Sequence, residues 1–282
     1  MPSSRKIRTI IKSKPVVEGA GVHLRRVFGF SEAPRLDPFL MLDDFRSDNP
    51  EDYRKGFPWH PHRGIETITY VLRGDVAHGD SLGNSGVISS GDVQWMTAGS
   101  GIIHQEMPKG DAQGSMHGFQ LWANLPAAQK MRPPRYRGIT ADQIPQVEME
   151  NGVRIKVIAG SLRRVHGPMD AIVIDPEYFD CRVPDGETFV HPTDPRYTAF
   201  IYVIGGQGRT DETVVENGTL VLFEPGEQLR VSASGAALRF LLLTGKPLNE
   251  PVAWKGPIVM NTQAELDTAF REYRKGTFIK HP

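Results

Sequence analysis

Residues 56–66 read Gly56-Phe-Pro-Trp-His60-Pro-His62-Arg-Gly-Ile-Glu66, and residues 91–108 read Gly91-Asp-Val-Gln-Trp-Met-Thr-Ala-Gly99-Ser-Gly-Ile-Ile-His104-Gln-Glu106-Met-Pro108. Each stretch carries two metal-ligating side chains separated by one residue. On an extended strand that spacing puts both on one face, and in a closed barrel that face can be the interior. Three neutral imidazoles and one carboxylate suit a borderline divalent ion: Fe(II), Ni(II), Cu(II), Zn(II) or Mn(II). Such a set also leaves coordination positions open for chemistry. A lone histidine is ordinarily a surface residue or a hydrogen-bonded core residue. Two same-face pairs in matched strand contexts outweigh that reading, so His60, His62, His104 and Glu106 are candidate metal ligands. Glu66 competes for the acidic position, because counting in twos from His60 and His62 gives it inward parity.

Working outward, 29 Gly and 22 Pro residues punctuate short apolar runs along the whole chain. Many short strands joined by tight turns explain that pattern better than long helices do. Strands are predicted over 65–72, 86–90, 93–96 and 118–123. After a proline-bearing stretch they resume over 153–159, 171–175, 198–204, 219–223, 228–231 and 237–244. The fold class is therefore all-β, with each half a small barrel or jelly roll. Residues 1–130 form the metal-binding one, 131–150 a linker, and 151–282 the other. The later half has no His-X-His pair and is expected to be metal-free. Thr262 and Glu265 form a capping box before an apolar stripe of Leu266, Ala269, Phe270 and Tyr273. This short C-terminal helix is assigned to the second barrel.

Lys+Arg and Asp+Glu number 33 each in 282 residues. The zero balance argues against direct nucleic-acid binding or attraction to an anionic membrane. Cys181 is the single cysteine, which excludes an intramolecular disulfide and reads as a small buried hydrophobe. No secretory signal or membrane-length apolar run is present, so the expected location is the cytoplasm, with the nucleus an alternative in a eukaryote. His78 reads as a solvent-exposed residue near a turn tip, and His23 as structural. His117 and Gln120 follow the second motif on a strand, where they either line a pocket or pack. Arg182, His191 and Arg196 read as solvated surface. Phe57, Trp59, Met96 and Phe119 would either wall a cavity or plug it.

The two histidine stretches resemble the first and second cupin motifs. Together with His117-Gly-Phe-Gln-Leu-Trp-Ala-Asn-Leu-Pro126, Gly256-Pro-Ile-Val-Met-Asn-Thr262 and Phe270-Arg-Glu-Tyr-Arg-Lys-Gly276 they resemble the pirin family over nearly the whole chain. The resemblance implies a bicupin, two cupin-type β-barrels with a short C-terminal helix. Most metal-binding cupins take their acidic ligand from the first motif, here Glu66; pirins take the Glu two residues after the last His, here Glu106. The resemblance thus implies Glu106 as ligand and catalytic group, with Glu66 orienting a ligand. It further implies one Fe(II)-type centre, with Zn, Ni, Cu or Mn as alternatives, and a quercetin 2,3-dioxygenase-like activity. Such an enzyme opens a flavonol with O2, losing carbon monoxide and leaving a depside-type ester. Pirins are also described as metal-containing, redox-responsive partners of transcription factors and metabolic enzymes, which gives a non-enzymatic alternative with a protein partner. An oxygenase needs an accessible apolar cavity on the order of a few hundred Å³; a regulator does not.

Overall fold

The computed structural model describes residues 2–281. Twelve strands run through the first half: β1 (Ile7–Lys12), β2 (Lys14–Glu18), β3 (Val22–Phe28), β4 (Phe39–Ser47), β5 (Phe57–His62), β6 (Ile65–Arg73), β7 (Asp75–Asp80), β8 (Ser85–Ile88), β9 (Val93–Thr97), β10 (Ile102–Lys109), β11 (Met116–Asn124) and β12 (Arg135–Ile139). One helix of twelve residues, α1 (Gln263–Arg274), begins at the predicted Thr262–Glu265 capping box. Among the described residues no helix is long and apolar enough to cross a membrane.

The chain divides into two compact units. The motif unit holds Lys14–Arg35, Phe39–Ala141 and the chain from Leu248 onward; the second unit holds the chain up to Ser13, Leu36–Pro38 and Asp142–Pro247. This division crosses the sequence-based boundaries at both ends. Strand β1 pairs antiparallel with Thr219–Phe223 and so belongs to the second unit. Helix α1, expected on the second barrel, buries Leu266 and Ala269 against Ile258, Met260 and Phe278 of the motif unit. Residues 131–150 are not a free linker either. Strand β12 hydrogen-bonds to β9, and Gln146–Glu148 pairs with Arg154–Ala159 in the second unit.

In the motif unit a seven-stranded sheet, β12-β9-β6-β11-β4-β3-β2, packs on a four-stranded sheet, β5-β10-β7-β8. Leu24, Phe45, Val71 and Met116 of the larger sheet meet Val76 and Ile88 of the smaller one in a buried cluster. Each such side chain contributes about 1.5–3 kcal/mol by leaving water. The second unit repeats the plan, with a seven-stranded sheet containing β1 and a four-stranded sheet built on Thr188–Pro192 and Gln228–Ala233. The expected pair of barrels takes this flattened form because ladder bonding stops where the chain turns from one sheet to the other. One predicted strand, 171–175, is not extended: Ala171 and Asp175 sit at φ 51° and 45°. Ile172 and Ile174 are nevertheless buried, which accounts for the alternation in the sequence.

The corner that matters for function lies between β5 and β6. Gly64 turns there at φ 78°, and a Cβ would come within 1.9 Å of the Val259 carbonyl oxygen, so no other residue fits. The buried Lys130 ammonium donates to the Gly64 and Val259 carbonyls and to Asn124 Oδ1. Arg63, also buried, donates to Glu272 and to the Phe278 carbonyl and lies 4.2 Å over the Phe278 ring. The C-terminal segment is thereby clamped against the residues next to His62.

Candidate metal centre

Strands β5 and β10 pair so that His104 lies directly opposite His60 and Ile102 opposite His62. Alternation then places His60, His62, His104 and Glu106 on one face of the small sheet. The three imidazoles converge: one ring nitrogen from each lies within 4.8 Å of the others. The Nε2 atoms of His60 and His62 are 3.1 Å apart.

The outer nitrogens explain which ring atom faces inward. His60 Nδ1 donates to the Pro58 carbonyl at 2.8 Å, and His62 Nδ1 to the Pro257 carbonyl at 3.0 Å. His104 Nδ1 lies 3.4 Å from the Tyr136 hydroxyl, and its Nε2 is buried without a hydrogen-bond partner. A neutral ring that donates from Nδ1 carries its lone pair on Nε2. Two such lone pairs, on His60 and His62, therefore face each other, and His104 adds a third when its proton sits on Nδ1. Burial holds the His60 imidazole below its usual pKa; His62 and His104 lie well below theirs, chiefly through burial and then through the neighbouring rings. Neutral imidazole is the form that ligates. Bonds of about 2.1 Å to one ion bring adjacent ligands about 3 Å apart, which matches the His60–His62 spacing. The donor set fits a divalent metal.

Glu106 is buried on the same cavity wall, but its carboxylate stands outside the 4.8 Å cluster. Thr69 donates to its Oε1 at 3.0 Å and Gln120 Nε2 to its Oε2 at 3.2 Å, while the Thr69 hydroxyl also meets Gln120 Oε1 at 2.5 Å. Thr69 has one proton for two acceptors. The ring of three closes fully when Glu106 itself carries a proton and donates it to Thr69. Burial, opposed by the Thr69 hydrogen bond, raises the Glu106 carboxyl from 4.5 to about 7.

Glu66 points elsewhere. It lies directly across from Thr97, and its oxygens accept from Trp95 Nε1 at 3.0 Å and Thr97 Oγ1 at 2.7 Å. Thr69, three residues along an unbroken β6, faces Glu106, so Glu66 faces the opposite side of the sheet. The inward parity expected for it fails because Gly64 turns the chain into another sheet between His62 and Glu66. Its role is to hold β9, not to orient an imidazole.

Other expectations sort the same way. His78 is not at a turn tip: it pairs across from Glu106, contacts Gln94 and stacks on Tyr136 at 5.6 Å. Gln120 lines the cavity, whereas His117 sits on the other face beside Asp44. His23 is a surface partner of Asp52. Trp59 is exposed and Phe119 packs on Tyr70 and His117, so only Phe57 of the aromatic trio lines the cavity; Met96 packs in the core beside it. His191, read as solvated, is buried against Glu177. Tyr136 and the Pro257 carbonyl were not anticipated: Tyr136 lies outside the quoted stretches, and Pro257, within one, gives no sign that its carbonyl reaches His62.

The cavity has a volume of about 590 Å³. One wall is an aromatic ladder leading to the histidines: Phe30 to Trp254 at 5.5 Å, Trp254 to Trp122 at 5.9 Å, and Trp122 edge-on to His62 at 5.0 Å.

Two β-sandwich units, with a histidine-lined cavity in the motif unit, define a bicupin with, among the described residues, one candidate metal centre. Family models agree along the chain: Pirin matches residues 21–123, and the Pirin C-terminal cupin domain matches 178–279. A pirin-like protein of Caulobacter vibrioides is 45% identical over 275 residues, covering 97% of this chain and 99% of that protein. A Pseudomonas aeruginosa protein, provisionally named a quercetin 2,3-dioxygenase, is 42% identical over 98% of this chain and 99% of its own length. The crystal structure of quercetin 2,3-dioxygenase from Acinetobacter baumannii superposes with a TM-score of 0.90 at 32% identity, covering 98% of this chain and 99% of that one. The chain belongs to the pirin family.

Proposed function

We propose that the motif unit is a metal-dependent dioxygenase that opens flavonols such as quercetin with O2, with iron(II) as the working ion. The observation that carries this reading is the convergence of one ring nitrogen from each of three histidines beside an apolar cavity of about 590 Å³. A regulator acting only through the charge of its ion needs no such cavity. The similarity to proteins named as quercetin 2,3-dioxygenases supports the same reading.

His60, His62 and His104 would hold the ion, with Glu106 as the acidic partner. An ion there supplies Lewis-acid stabilisation of a phenolate and, in a redox-active form, an electronic path between the ring and O2. The chain supplies the rest. A carboxylate beside the bound hydroxyl can serve as general base, and Glu106, at about 7 in the metal-free protein, is drawn toward its ionised, proton-accepting form by a nearby cation. Glu106 takes the proton of the flavonol hydroxyl, and Thr69 and Gln120 close their hydrogen-bonded ring around the protonated form. Trp122, Trp254 and Phe30 offer flat apolar surface on which a planar ligand stacks.

The test is metal analysis joined to oxygen uptake. Protein loaded anaerobically with iron should bleach quercetin on exposure to air and consume O2 in step. If the loaded protein does neither, the reading fails.

A further inference from the structure

We infer that the cavity end remote from the histidines, formed by Glu18, Arg26 and Asp43, recognises hydroxyl donors on an aromatic ligand and turns carboxylates away. The inference rests on the phenol-binding reading above and extends it to the part of the ligand that does not react.

Thr69 lies across from Gln120, Gln120 from Asp43, and Asp43 from Arg26. These four side chains form one row over β6, β11, β4 and β3, and all line the cavity. Neighbouring strands are about 4.8 Å apart, so Arg26 stands about 14 Å along the row from Thr69. The row therefore has two ends. Thr69 and Gln120 hold Glu106 at one; Arg26 and Asp43 mark the other.

At the far end the charges do not cancel. Arg26 donates from Nε and Nη2 to both oxygens of Asp43, at 2.9 and 2.8 Å, and from Nη1 to Glu18 Oε1 at 2.8 Å. Among the groups that line the cavity here, one guanidinium faces two carboxylates, leaving one net negative charge; Lys14, across from Arg26 on β2, is exposed to solvent and outside the lining. Asp43 is buried and fixed by its two-pronged bond, while the Glu18 side chain is 41% exposed and has acceptor capacity left. Leu24, Phe45 and Val76 line the same space, so the excess charge is screened less than it would be in water. A ligand carboxylate is repelled there, and an O–H donor gains a charge-assisted hydrogen bond. With the aromatic ladder beside the row, Trp122 two residues along β11 from Gln120, the ligand that fits is planar and carries hydroxyls on the ring remote from its reacting oxygen.

The experiment is an anaerobic titration of the metal-loaded protein, followed by quenching of tryptophan fluorescence. The ligands are three flavonols whose pendant ring bears two, one or no hydroxyls (quercetin, kaempferol and galangin), plus a galangin analogue with a carboxylate on that ring. Wild type should bind quercetin about tenfold more tightly than galangin, the net worth of one hydrogen bond to a charged group, and should reject the carboxylate. Glu18→Gln should erase the preference and admit the carboxylate while leaving galangin affinity unchanged, which also shows that the variant is folded. Equal binding of the three flavonols by wild type, or a preference that survives both Glu18→Gln and Asp43→Asn, overturns the inference while leaving the flavonol reading intact. If no flavonol binds wild type at all, both fail together.

Discussion

His60 and His62 face each other through Nε2 atoms 3.1 Å apart, and each ring has its Nδ1 proton engaged by a backbone carbonyl. Two lone pairs held at that distance repel unless a cation lies between them. Metal binding should therefore act on the folded state as a ligand and raise stability by mass action. At a free metal concentration about a hundredfold above Kd, linkage gives about 2.7 kcal/mol. For a chain of this size that is about 5–10 °C in Tm. Chelated and metal-loaded samples compared by scanning calorimetry should differ by that much, with one metal per chain. His60→Ala should lose both the metal and the shift. Full occupancy in that variant would remove His60 from the ligand set.

Glu106 gives a pH signature that is separable from activity. Its folded pKa of about 7 lies above the ordinary 4.5. The folded state thus binds this proton more tightly than the unfolded chain does. The resulting stability is fully present below pH 4.5 and is lost as pH rises through 7. A gap of that size corresponds to about 3 kcal/mol. Metal-stripped Glu106→Gln keeps a neutral group in the Thr69–Gln120 ring at every pH. It should match wild type near pH 4.5 and exceed it by up to about 3 kcal/mol at pH 8, measured by urea denaturation. A difference that does not vary with pH would count against a protonated resting carboxyl. In the loaded enzyme the same change should lower kcat/KM by about 10²–10⁴-fold.

The two glutamates are told apart by opposite outcomes. Glu66 accepts from Trp95 and Thr97 on the sheet face turned away from Glu106. Glu66→Ala should leave metal stoichiometry intact and destabilise the fold by about 1–3 kcal/mol, because two buried donors lose their acceptor. Metal analysis beside a urea melt decides it: loss of metal at unchanged stability would reverse the assignment.

Much of the site could be read from i, i+2 spacing, because alternation along one strand is a local rule. That is why His60 with His62, and His104 with Glu106, share faces as the sequence implies. The same rule failed for Glu66, where counting ran through Gly64 and a change of sheet. It misplaced Phe119, expected at the cavity, since nothing local says which face of β11 looks inward. Helix α1 was placed by its cap and stripe, yet its partner was misjudged. The contacts that bring it to the motif unit, Arg63 with Glu272 and Phe278, join residues more than two hundred positions apart. No periodicity reports such a pairing. Pro257, whose carbonyl orients His62, is out of reach for the same reason.

Tyr136 offers the sharpest test of the supporting shell, because it lies on β12, in a stretch that reads as linker. Its hydroxyl is 3.4 Å from His104 Nδ1, and its ring stacks on His78 at 5.6 Å. Tyr136→Phe keeps the stacked ring and removes only the oxygen. His104 then loses the hydroxyl that meets its Nδ1 and orients the ring toward the candidate metal site. Loss of such an outer partner costs about 10–100-fold in metal affinity. Competition against a chelator of known affinity should show that loss, with the melting curve of the metal-free protein nearly unchanged. If the variant holds metal as tightly as wild type, the Tyr136 hydroxyl only fills space, and the His104 ring is oriented by burial alone.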